Sequence, residues 1–182
     1  GAGTELGGAG TDVFLTGALK RQTQVTINAS TVTLSGPEGK DTLVAFERVA
    51  FADGVLHLDP AGAAGQVWRL YGAAFGRPAE TTGLSGWVDM LDSGAASLAD
   101  AAKGFLGSAE FALRYGQLDD AGFVTRLYSN VLGRTPDAAG LEHWTLKLAG
   151  GMARAEVLLG FSESAEYRAM TDPATANKLW AV

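Results

Sequence analysis

The chain has 182 residues, of which 47% are apolar, and 14 Lys and Arg stand against 20 Asp and Glu for a formal charge of −6. The apolar share can fill the core of one domain or two small ones, while the acidity excludes nucleic acid as a partner, since phosphate counterions are displaced by basic surfaces. With no Cys there are no disulfides, thiolate metal sites or cysteine nucleophiles, and no apolar run reaches the roughly 20 residues that span a bilayer.

The chain opens at Gly1 without Met and without a secretory signal, as expected of a piece of a longer protein exported without an N-terminal signal. The complete lack of Cys fits such export in an unfolded state. Gly7-Gly8-Ala9-Gly10-Thr11-Asp12-Val13-Phe14-Leu15 then matches the nonapeptide G-G-x-G-x-D-x-U-x, with U a large apolar residue. In that pattern, turn carbonyls and the Asp carboxylate hold Ca2+ between successive turns of a parallel β-roll, so Gly8, Gly10 and Asp12 are the candidate ligands. One copy supplies half a site at most, because calcium takes about six to eight oxygens. A plain glycine-rich turn is the equal alternative.

Short strands follow. Thr23, Val25, Ile27 and Ala29 alternate with Gln24, Thr26 and Asn28, and Val32 and Leu34 alternate with Thr31 and Thr33, the period-two pattern of a half-buried sheet. Gly36-Pro37-Glu38-Gly39 reads as a turn, and Glu38 to Leu43 keeps a G-x-D-x-L remnant of the nonapeptide. Asp53-Gly54, between Val49–Phe51 and Val55–Leu58, predicts a hairpin with a type I′ turn. Residues 1–59 are therefore expected to be a small antiparallel β region, closed by the breaker Asp59-Pro60-Ala61-Gly62.

The remainder, 60–182, is a helical domain built on a duplication. Leu70 and Leu127, Gly76 and Gly133, and Trp87 and Trp144 are each 57 residues apart, and Phe105, Ser108 and Glu110 recur 56 later as Phe161, Ser164 and Glu166. The repeats run from about 66 to 117 and from 119 to 172, with a tail at 173–182. Val67, Leu70, Tyr71, Ala74 and Phe75 keep helical spacing, as do Val124, Leu127, Tyr128, Val131 and Leu132. Gly76 and Gly133 stop these helices. In the second copy Thr135 is expected to cap the next helix, with Pro136 and Asp137 in its first turn and Glu80 standing where Asp137 would in the first copy. Trp87 and Trp144 should occupy equivalent buried places, and Glu110 and Glu166 should pair with Arg77 and Arg134. The fold class is α+β, a β region followed by two similar multi-helix repeats.

The paired R-L-Y-x-x-x-(L/F)-G-R, G-L-x-x-W and F-x-x-S-A-E-(F/Y) motifs resemble the tandem bacterial family called domain of unknown function 4214, over roughly Gln66 to Met170. They carry Tyr71, Arg77, Trp87 and Glu110 in one copy and Tyr128, Arg134, Asp137, Trp144 and Glu166 in the other. The first copy departs from the pattern with Pro78-Ala79-Glu80 where the second has Thr135-Pro136-Asp137. The resemblance implies a helical fold similar to the phycobilisome linker domain, found at the C-terminal end of calcium-dependent RTX exoproteins and surface-layer proteins, and it implies no activity. The segments around Gly7 and from Asp41 to Gly54 look like the degraded end of an RTX region.

No catalytic constellation is legible. His57 and His143 lack zinc-site spacing and read as surface or cap-level residues. Gly36 to Thr42 lacks the first glycine and the hydroxyl of a phosphate loop, and Gly160 to Ser164 lacks the closing glycine of a nucleophile elbow. The expected function is a non-catalytic module of an extracellular or cell-surface bacterial protein. Its partner would be a surface protein, a polysaccharide or another copy, met through helix faces bearing Ser85, Gly86, Ser129 and Asn130. Two alternatives stand beside it: a carbohydrate-binding module using Trp68 and Trp180 as stacking platforms, or an accessory part of a secreted enzyme whose catalytic domain lies upstream.

Overall fold

The computed structural model describes residues 3–28, 31–175 and 179–182. Its N-terminal region stacks two strand–turn–strand arcs. Strands β1 (Gly3–Leu6) and β2 (Val13–Leu15) form the first arc, and β5 (Gly39–Val44) and β6 (Arg48–Phe51) form the second. They stack in parallel, Gly3 opposite Asp41 through Leu6 opposite Val44, and Val13 opposite Arg48 through Leu15 opposite Ala50. Between the arcs the chain makes an antiparallel excursion, β3 (Gln24–Asn28) and β4 (Thr31–Gly36), and β7 (Gly54–His57) closes the region. The β region is thus mixed rather than antiparallel throughout. Alternation fixes which face of a strand is buried and says nothing about its partner's direction, so the parallel pairs left no mark on the pattern. Ala29, expected to extend the inward series, lies outside the described residues.

The two sheets, ordered β1-β5-β4-β3 and β2-β6-β7-β8, face each other across Val32, Leu34, Leu43, Val49, Phe51 and Leu56. The β6–β7 hairpin forms, but its turn residues are Ala52 and Asp53, since Phe51 pairs with Gly54. Neither has the positive φ that a type I′ turn needs, so the expected turn type is corrected. The Asp53 carboxylate instead accepts from the Lys20 amide at 2.8 Å. Glycine is required at 54 for another reason: φ is 149°, and a Cβ there would strike the Ala181 carbonyl and the Trp180 ring.

Those two residues belong to β8 (Leu179–Ala181), which returns from the far end of the chain to pair antiparallel with β7. Leu179 enters the helical core while Trp180 packs on the sheet core. The tail is therefore a strand that ties the two parts together.

The helices come in two sets of four: α1 (Ala63–Phe75), α2 (Thr81–Asp92), α3 (Leu98–Leu106) and α4 (Ala109–Tyr115), then α5 (Asp120–Leu132), α6 (Ala138–Ala149), α7 (Arg154–Ser162) and α8 (Ala165–Thr175). Side chains start most of them. Ser97 and Asp100 form a capping box, and Ser108, Asp119, Asp137 and Ser164 each accept from an amide three residues on. The cap of α6 is therefore Asp137 and not Thr135. Its short carboxylate reaches the Gly140 amide at 2.7 Å, whereas Glu80, one methylene longer, makes no such bond and lies 3.4 Å from Arg77. Gly76 and Gly133 end α1 and α5 in the left-handed conformation, at φ of 65° and 62°.

Helix α1 lies at the centre, packed by α2, α3, α4, α5, α7, α8 and β8. That explains why Ala64, Val67, Leu70, Ala73 and Ala74 are all buried, leaving α1 with little polar face. Its counterpart α5 packs chiefly on α1, α6 and α7. One repeat is thus wrapped by the rest of the molecule and the other lies at its edge.

Candidate functional site

The residues that recur in the sequence build one small stack in each unit. In the first, the Arg77 guanidinium lies 5.3 Å over the Tyr71 ring, Tyr71 meets Phe105 edge-on at 4.6 Å, and Phe105 meets Trp87 at 5.6 Å. In the second, Arg134 lies 5.2 Å over Tyr128, Tyr128 meets Phe161 at 5.0 Å, and Phe161 meets Trp144 at 5.1 Å. The tyrosine hydroxyls approach α2 and α6 so closely that a Cβ at Gly83 or Gly140 would collide with them. These glycines recur 57 apart, a signal the sequence reading passed over. Trp87 and Trp144 occupy equivalent places and are half-buried rather than fully buried, because α2 and α6 lie at the surface.

The acids at the ends of these stacks differ. Glu110 is held by Arg77 through two bonds of 2.8 Å, whereas Glu166 lies 3.8 Å from Arg134 with both side chains largely exposed. Donation from Arg77 holds the Glu110 carboxyl below its usual range, against the opposing effect of partial burial. Burial raises the Tyr71 phenol, with Arg77 pulling the other way. A general acid at neutral pH needs the opposite shift, so Glu110 serves as a fixed anion that orients Arg77 across the tyrosine face.

The largest polar feature was not found from the sequence. Arg69, in the middle of α1, is 0% exposed. It donates to Glu163 at 3.0 and 2.6 Å, to Asp172 at 3.0 Å and to the Pro60 carbonyl at 2.7 Å. It thereby joins α1, the α7–α8 corner and the segment leaving the β region. A repeated Arg at 69 and 126 inside an apolar helix was the available signal.

At the nonapeptide, Asp12 Oδ2 accepts from the Gly8 amide at 2.8 Å, and the Asp12 amide donates to Glu47 of the next turn at 2.7 Å. The Asp12 carbonyl in turn accepts from the Glu47 and Arg48 amides. These bonds make the turn self-sufficient. Gly8 and Gly10 add only carbonyls, and no group of three or more His, Cys, Asp and Glu that could hold a metal exists among the described residues. Two arcs thus offer fewer donors than the roughly six to eight oxygens calcium takes.

Several expectations about exposure change. His57 is buried, because β8 pairs across it and α2 lies beside it. Burial lowers its pKa, Arg48 adds to the effect, and Asp92 and Asp89 oppose it. His143 does lie at the surface, edge-on to Trp144 at 5.3 Å. Trp68 packs against the helical core, and Trp180 packs 5.8 Å from Phe51, so neither ring is a free stacking platform. Ser85 is buried, donating to the Thr81 carbonyl and accepting from the Val182 amide at 2.8 Å. Asn130 sits between the units, donating to the Ala73 carbonyl and the Tyr115 hydroxyl at 3.0 Å each. Of the four residues expected on open helix faces, only Gly86 and Ser129 are exposed.

Fold and motif together define a tandem of four-helix units, each locked by an Arg–Tyr–Phe–Trp stack and joined to a two-arc β region. The family described as Domain of unknown function (DUF4214) matches residues 65–113 and 102–171, and the chain belongs to it. No curated protein matches the chain. Among the described residues no helix is long and apolar enough to cross a membrane.

Proposed function

We propose that the chain is a non-catalytic module of a secreted, RTX-type bacterial surface or matrix protein, acting in attachment or assembly at the cell surface. The observation that carries this reading is the seating of the nonapeptide turn on a second turn, in a parallel two-arc stack placed directly before the tandem helices. That is the geometry expected of the last coils of a β-roll. The locked state of Glu110 supports a structural rather than catalytic motif.

The attachment surface is carried by the second unit. The outer side of α2 is covered by β8, through the Val182–Ser85 bond and the Arg48–Asp92 ion pair of 2.8 Å. The corresponding side of α6 is open and presents His143, Lys147 and Leu146, the last 64% exposed. The partner is a surface protein or a polysaccharide. The test is the full protein carrying Leu146→Asp with His143→Asp, followed in the secreting bacterium. The expected result is folded, exported protein that is released into the medium. Unchanged retention on cells, or loss of export, would overturn the proposal.

A further inference from the structure

A cleft of about 460 Å³ opens where the two sheets meet the start of the helical part. Its volume falls within the range of about 300 to 1,000 Å³ usual for small-ligand sites. Ile27, Val32, Phe46 and Leu58 supply apolar lining, and Glu47 and Asp59 supply the charge. No Lys or Arg lines it, and the nearest cation along the chain, Arg48, is committed to Asp92 by bonds of 2.8 and 2.9 Å.

The two carboxylates are held in place and remain electrically unpaired. Glu47 Oε2 accepts from the Asp12 amide at 2.7 Å and Asp59 Oδ1 from the Ala61 amide at 2.8 Å, and neither residue makes an ion pair among the described residues. Both also line a smaller depression next to the cleft, so the charge is concentrated at one end of it. The wall between them is strained. Ala45 lines the cleft at φ 57°, the only non-glycine residue with positive φ among those described, in a region that costs a residue with a side chain energy. Gly7 of the first arc closes against the same residue, leaving no room for a Cβ beside the Ala45 carbonyl. Two fixed negative charges at the end of an apolar slot, in a chain of net charge −6, attract cations and reject anions.

We infer that this cleft binds an organic ammonium ion on a short apolar stem, the stem against Phe46 and Leu58 and the ammonium between Glu47 and Asp59. An ammonium has three donors and suits two carboxylate oxygens that come from different strand ends. Two sources share this chemistry, the lysine side chain of a partner protein and a free polyamine. The inference is independent of the attachment reading, which rests on α6.

The test titrates the whole chain with n-hexylamine at pH 7, following backbone amide shifts, with hexan-1-ol as the neutral counterpart. Saturable shifts confined to the cleft are expected with the amine, and binding of the alcohol about tenfold or more weaker, the factor set by one charge-assisted hydrogen bond. Glu47→Gln keeps an oxygen for the Asp12 amide and Asp59→Asn keeps one for Ala61, so both should fold, and each should weaken the amine by about tenfold. If one variant fails to fold, the other carries the result. Nα-acetyl-lysine methylamide and cadaverine, titrated in parallel, separate a peptide lysine from a free polyamine by which binds more tightly. Equal binding of amine and alcohol, shifts mapping elsewhere, no saturation by the amine, or displacement of the amine by calcium chloride but not by sodium chloride at equal ionic strength would each overturn the inference.

Discussion

Arg69 and Arg126 hold the same position in α1 and α5, 57 residues apart, and do opposite things. Arg69 is sealed inside with Glu163, Asp172 and the Pro60 carbonyl, while Arg126 is exposed and lies 4.8 Å over the Tyr115 ring. The residues that hold Arg69 have no counterparts in the first unit. The places 56 residues before Glu163 and Asp172 are Gly107 and Gly116. Duplication therefore preserved what faces inward within a unit, the Arg–Tyr–Phe–Trp stack, and let diverge what faces between units. Where the first unit has Ala73, the second has Asn130, which donates its amide across to the Ala73 carbonyl.

The contrast can be broken most severely at the arginines. Arg69→Ala strips two carboxylates and a carbonyl of their partner inside the fold and should cost about 3 kcal/mol or more, as breaking buried pairs does. Arg126→Ala should cost well under about 1 kcal/mol, the scale of an exposed cation–π contact. Urea unfolding of both variants checks this, and equal losses would show that α1 is not the central helix. At the conserved stack the opposite holds. Trp87→Ala and Trp144→Ala should each cost about 3 kcal/mol, the low end for a large aromatic because both rings are half-buried. Matching values in the same denaturant assay would sharpen the claim that the interior of the unit is repeated.

A smaller effect separates the two Arg–Glu pairs. A double-mutant cycle at Arg77 and Glu110 should give a coupling of about 1 kcal/mol, the upper range for a partly exposed pair with two-point geometry. The cycle at Arg134 and Glu166 should give a coupling too small to resolve, since these groups stand 3.8 Å apart in solvent.

The histidines repeat the lesson through pH. Burial lowers the pKa of His57 from 6.5, so the unfolded chain takes up the proton more readily than the folded one. Its stability is complete above about 6.5 and is lost as the pH falls through the lowered folded value. Thermal melts between pH 7 and 5 should therefore fall more steeply for the natural chain than for His57→Gln. His143→Gln should follow the natural chain, since β8 and α2 cover only the first of the two histidines.

Period and repetition were enough to read the helices, because apolar spacing and a constant offset are local or self-referential signals. The glycine stops and the Arg–Glu partners were legible for the same reason. What escaped depends on contacts between distant residues. Arc stacking pairs β1 with β5 and β2 with β6 across the β3–β4 excursion, and nothing in the alternation of Val25 and Ile27 reports a partner's direction. Leu179 to Ala181 is too short to show a pattern, yet its pairing with β7 buries His57 and occupies the outer side of α2. Ser85 looked free on its helix for the same reason. At Thr135-Pro136-Asp137 two residues could cap, and geometry chose Asp137, whose carboxylate reaches the Gly140 amide.

Native-state hydrogen exchange tests the central claim most directly, because it ranks helices by how much of the fold must open to expose them. If the first unit is the one wrapped by the rest, the amides of α1 and the β7–β8 pairing should exchange only with global unfolding, while α6 opens earlier at a lower free energy. Equal protection of α1 and α6, or early loss of β8 with α1 still protected, would contradict it.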